Sequence, residues 1–154
     1  MKNTIAVVLF TLFTTITYAQ DLKWHTDAKV AVEQSNKIKK PLMVFFTGSD
    51  WCGWCIRLQK EVFSQPEFKK WAKDNVVLLE LDFPRKNNQP QETQMQNQQI
   101  QQAFGVQGYP TAWFVTATVT NGKTNFSPIG STGYVAGGAT KWLEAAKSIL
   151  KNKK

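Results

Sequence analysis

The chain has 154 residues, of which 42% are hydrophobic and 19% charged, and it carries a formal net charge of +8. That length and an ordinary globular composition lead to one domain with a hydrophobic core. The basic excess sits on scattered lysines, densest at Lys151, Lys153 and Lys154, without an arginine-rich or nucleic-acid motif. It reads as solubility and loose attraction to acidic partners, with no nucleic acid among them.

At the N-terminus, Lys2 is followed by the apolar Ile5–Phe10, a run diluted by threonines, and then Thr17-Tyr18-Ala19-Gln20. Charged, apolar and small-residue regions in that order predict a signal peptide over residues 1–19, cut after Ala19. The apolar run is shorter than the roughly 20 residues that span a bilayer, so no stable membrane insertion is expected after cleavage. No cysteine follows the predicted cut, which argues against a lipid anchor. The mature domain, residues 20–154, is therefore expected to be exported, in a bacterium to the periplasm.

Thr26 or Asp27 caps a predicted helix over Ala28–Lys37. The lone His25 has no second ligand type at a useful spacing and reads as a surface residue of the lead-in. Leu42–Thr47, apolar without alternation, predicts a central strand covered on both faces. Gly48-Ser49-Asp50 turns the chain into a helical segment from Cys52 to Phe63. Ser64-Gln65-Pro66-Glu67 has the form of a capping box and predicts a further helix through Lys73, kinked against the one before it. Val76–Leu81 is a second buried strand. In the glutamine-rich stretch that follows, Met95, Ile100, Ala103 and Phe104 fall at helical spacing and are expected to face inward, leaving the glutamines as a solvated face. Ala112–Thr116 is a third strand, Asn121-Gly122 a hairpin turn into a fourth around Thr124–Ile129, and Ala139–Leu150 a closing amphipathic helix. Strands separated by helices imply parallel crossovers and the last hairpin is antiparallel, so the expectation is α/β, a mixed four- to five-stranded sheet with helices on both faces.

The chemistry concentrates in Trp51-Cys52-Gly53-Trp54-Cys55, which holds both cysteines of the chain between a buried strand and a helix. Two thiols at that spacing can take up or release an electron pair as a disulfide. Cys52 lies at the predicted helix N-terminus. The helix dipole offers about 0.3–1 kcal/mol there against about 1.36 kcal/mol for one pKa unit, so hydrogen bonds from the N–H near Cys55 and from its thiol must supply the rest of any thiolate stabilisation. Zinc requires about four ligands, and haem attachment requires a histidine where Ile56 stands. A copper dithiol would be better supported by further methionine or histidine nearby. No metal or cofactor is therefore assigned. Trp51, Trp54 and the distant Tyr109 are expected to form an apolar collar for an extended polypeptide.

The Trp-Cys-Gly-Trp-Cys segment after an apolar strand, together with Gly108-Tyr109-Pro110-Thr111 before another, resembles the thioredoxin superfamily, and within it the exported thiol:disulfide interchange type. The resemblance covers most of the mature chain and implies a thioredoxin-like fold, with a cis Pro110 beside the dithiol and Tyr109 where the backbone pairs with substrate. It further implies catalysis by Cys52 and Cys55, with Trp51, Gly53, Trp54, Tyr109 and Pro110 meeting the substrate. The sequence departs from the pattern at Phe46, where many thioredoxins carry a buried acid six residues before the first cysteine. Glu80 and Asp50 are alternatives, although a surface role is the ordinary expectation for each. The function that follows is reduction or isomerisation of disulfides in exported proteins, with a separate protein donating or accepting electrons. The other reading is a binding module for client polypeptides or a metal ion, with little redox turnover.

Overall fold

The computed structural model describes residues 22–152, so the predicted signal peptide and its cleavage point lie outside the described residues. A five-stranded sheet has the order β1-β3-β2-β4-β5, built from β1 (Trp24–His25), β2 (Leu42–Thr47), β3 (Val77–Asp82), β4 (Thr111–Thr120) and β5 (Lys123–Thr132). The central β2 pairs in parallel with β3 and antiparallel with β4. The crossover through the glutamine-rich helix therefore does not give a parallel neighbour, contrary to the expectation from strand–helix alternation. The mixed sheet itself is as expected.

All of β2 is buried because both faces are covered. Met43 and Phe45 join Leu78, Ala112 and Phe114 beneath α2 (Gly53–Leu58), the π-helical turn Gln59–Phe63, α3 (Pro66–Asn75) and α5 (Gly138–Lys151). Leu42, Val44 and Phe46 join Leu79, Leu81 and Val115 beneath α1 (Ala28–Ile38) and α4 (Gln91–Phe104). Successive strand residues point to opposite faces, so the alternation decides which side chains can reach the cysteines. The first layer centres on Trp142, fully buried against the rings of Phe63, Phe68, Trp71 and Phe114, with its indole N–H on the Gly133 carbonyl at 3.0 Å.

Asp27 caps α1 through Val30 N, and Asn121 and Gly122 both take positive φ at the hairpin turn, as their sequence signals require. Several expectations are corrected. His25 is buried and belongs to β1, which pairs with Leu78 and Leu79; a strand of two residues has no periodicity to read. Burial, and then the Lys23 charge, push its imidazole pKa down. Ser64 does not cap α3: its hydroxyl donates to Gln59 O and closes the π turn, and α3 starts after a break at Gln65.

In α4, Met95 and Ala103 are exposed whereas Asn97 is buried beside Ile100. Asn97 donates to Asp82 O at 2.9 Å, and Gln96 accepts from Ala28 N at 2.8 Å and donates to Thr26 O at 2.9 Å. The glutamine-rich face is thus partly a seam joining α4 to the start of α1 and the end of β3. Pairing the part-buried Ala28 N–H and Asp82 carbonyl outweighed placing Met95 inside.

Candidate active site

The cysteines stand where the buried β2 hands over to α2. Cys52 is the N-cap of α2, with extended backbone dihedrals, and its sulfur accepts the Cys55 N–H at 3.2 Å. The two sulfurs are joined as a disulfide, and both residues are buried, Cys52 at 7% exposure and Cys55 at 2%. Between them, Gly53 and Trp54 project to solvent. A hydrogen bond to an ionised group is roughly twice as strong as a neutral one, so an N–H at this position favours a charged sulfur at Cys52 over a neutral one. It is the first of the two supplements to the helix dipole expected from the sequence, the other being the Cys55 thiol.

The turn before Cys52 is held at several points. Ser49 donates through its backbone N–H and its hydroxyl to the Asp82 carboxylate, at 2.8 and 2.6 Å. Asp50 accepts from Arg85 N at 3.0 Å and Lys86 N at 2.7 Å; these donors hold its carboxyl below its ordinary pKa. Trp51 donates its indole N–H to Phe83 O at 2.8 Å, and the Arg85 guanidinium lies 3.7 Å from its ring centroid, a cation–π distance. Gly48 makes room for that ring, since a Cβ there would meet Trp51 Cε2 at 2.5 Å.

Tyr109 and Pro110 come from the start of β4. Register places Phe46 opposite Thr111, so Pro110 follows at the same end of the sheet as the turn to Cys52. The Tyr109–Pro110 peptide is cis. Tyr109 sets its ring 5.9 Å from Trp51 and 5.2 Å from Phe83, and its hydroxyl accepts from Gln101 Nε2 at 2.7 Å. Burial raises the pKa of that hydroxyl, opposed by the Gln101 bond.

The three expected collar residues do not form one ring. Trp51 and Tyr109 are neighbours, whereas Trp54, 56% exposed, turns to Tyr134 at 5.1 Å between centroids. Arg57 lies 5.5 Å from the Trp54 ring and 5.3 Å from that of Tyr134, and Glu61 accepts from both Arg57 and the Tyr134 hydroxyl. Arg57, Glu61, Arg85 and Tyr134 were not singled out from sequence. Only the Arg57–Glu61 spacing carried a signal, that of an i,i+4 helical pair.

The acid position is also corrected. Phe46, six residues before Cys52, faces the α1/α4 layer, away from the cysteines. Phe45 faces the cysteine side, and its partner across the β2–β3 ladder is Glu80. Glu80 is partly buried, with Cys55 and Glu80 lining one cavity of about 400 Å³. Asp50 is committed to the loop at Arg85 and Lys86.

A dithiol closed by one helical turn at the end of a central strand is the arrangement of a thiol–disulfide oxidoreductase. The chain belongs to the thioredoxin-like family, whose domain model matches residues 28–146. It is 38% identical over 133 residues to the disulfide bond reductase DsbH of Chlamydia pneumoniae, an alignment covering 86% of this chain and 75% of that protein. The solved structure of a DsbH oxidoreductase superimposes with a TM-score of 0.75 at 34% identity, covering 85% of each chain. A thioredoxin from Thermus thermophilus shares the fold, with a TM-score of 0.60 at 15% identity over 84% of this chain and 88% of that one.

Proposed function

We propose that this oxidoreductase works as a reductase of disulfides in exported proteins, with Cys52 as the attacking thiolate and Cys55 as the resolving thiol. The Cys55 N–H aimed at Cys52 Sγ carries the assignment, because it favours negative charge on that sulfur in particular. Attack of Cys52 on a substrate disulfide gives a mixed disulfide and releases one substrate thiolate. Attack of Cys55 on the Cys52 sulfur then releases the other, leaving the Cys52–Cys55 disulfide. Trp51, Gly53, Trp54 and Tyr109 form the surface met by the substrate polypeptide, with Pro110, itself buried, beside Tyr109. A separate protein returns the electron pair, and the likeness to DsbH, named a disulfide bond reductase, supports the reducing direction.

The direction is tested by the potential of the couple, measured by equilibration with glutathione. A reductase is expected below about −230 mV, towards the thioredoxin value of roughly −270 mV; a value near the roughly −120 mV of the oxidant DsbA would overturn the direction. Export is tested separately: the protein recovered from the periplasm of an expressing bacterium is expected to begin at Gln20, and retention of residues 1–19 in the cytoplasm would refute it.

A further inference from the structure

Resolution of the mixed disulfide needs a proton acceptor for Cys55, which is a thiol when the mixed disulfide forms and must attack as a thiolate. Phe46 and Phe45 offer none. The cavity against Cys55 is lined on the β2 side by Phe45 and Thr47, on the π-turn side by Lys60, and on the β3 side by Glu80, the only acid among its lining residues. Its volume of about 400 Å³ has room for water between Cys55 and Glu80, and Thr47, Ser49, Gln59 and Ser64 on its lining offer polar partners to such water.

We propose that Glu80 is the proton acceptor for Cys55, so that the acid serving the resolving thiol stands on β3 and not on β2. This deepens the dithiol reading and rests on it. In the mixed disulfide, the Cys55 thiol gives its proton to the Glu80 carboxylate, directly or through water in the cavity. The Cys55 thiolate attacks the Cys52 sulfur, the Cys52–Cys55 bond forms, and the bond from Cys52 to the substrate sulfur breaks. The electron pair leaves on the substrate thiolate, and Glu80 returns the proton to that thiolate or to water. The setting suits the task. Burial, then the neighbouring Asp82 carboxylate, raise the Glu80 pKa above its ordinary value, which strengthens it as a base. Asp82 is itself engaged by Ser49, and Lys60 is the only charged group facing the cavity from the π turn.

The test is single-turnover oxidation of the reduced full chain by a symmetrical aryl disulfide whose released thiolate is coloured. The first release reports Cys52 attack and scales with reagent concentration; the second reports resolution by Cys55 and does not. Glu80→Gln is expected to slow the second release by about tenfold or more at neutral pH, a modest share of what general bases supply. It should leave the first release within about twofold, and Glu80→Asp should recover part of the second. In the wild-type chain the second release should fall as pH drops through the raised Glu80 pKa, and in Glu80→Gln that acid limb should vanish. A second release with unchanged rate and pH profile in Glu80→Gln would overturn the proposal, as would equal slowing of both releases. Should the wild-type chain show no first release, the dithiol reading itself fails and takes this inference with it. A normal first release with resolution indifferent to Glu80 removes this inference alone.

Discussion

A Cys55→Ser chain, reduced and presented to disulfide-containing exported proteins, is expected to accumulate covalent adducts through Cys52 that dissolve with excess dithiol. Cys52→Ser should accumulate none, and neither variant should reduce a test disulfide protein above the uncatalysed rate. The reasoning is chemical: serine at 55 removes the sulfur that displaces the substrate, so the reaction halts after one bond exchange. The helix cap is preserved, because the Cys55 backbone N–H, not its side chain, bonds Cys52 Sγ. Non-reducing electrophoresis checks both variants. Clean absence of adducts from Cys55→Ser, or turnover surviving in it, would refute the assigned roles.

The largest effect on stability is expected from Trp142→Ala. The side chain is fully buried at the centre of the layer under α2, α3 and α5, against four other aromatic rings. Truncation of such a residue costs about 3–5 kcal/mol through lost transfer energy and the cavity left behind. It also removes the donor to the Gly133 carbonyl. For a domain of this size the cost corresponds to a fall of about 10–20 °C in Tm, measured by calorimetry. Trp142→Phe keeps most of the packing and should lose mainly the hydrogen bond, about 1 kcal/mol, together with part of the ring volume. A Tm for Trp142→Ala within a few degrees of wild type would refute this account of the core.

Much of this architecture was legible because local chemistry and global packing agree. The run Leu42–Thr47 has no polar face to expose, and it became the central strand over those same residues. Asn121-Gly122 accepts positive φ at both positions and became the hairpin turn. Cys52 and Cys55 could be read together because their spacing encodes one helical turn. What escaped depended on distant partners. Ser64 carries the same side chain whether it caps the helix ahead or the turn behind, and only the π turn decides between them. Asn97 is buried because Asp82 O needs a donor, a demand 15 residues away. Glu80 looked like an ordinary surface acid until strand register set it across from Phe45 on the cysteine side. Counting back from Cys52 reached Phe46, one residue from the side chain that faces the site, and in a strand one residue is the opposite face.

The fastening of the turn before Cys52 has a consequence for the reaction cycle. Its ties run from Ser49 to Asp82, from Asp50 to Arg85 and Lys86, and from Trp51 to Phe83, and none uses a sulfur atom. The anchoring of this turn therefore does not depend on the oxidation state of the sulfurs it carries. Opening the Cys52–Cys55 bond changes the electron count at two atoms and breaks none of these ties, so the turn that carries Cys52 is expected to keep its place in both forms.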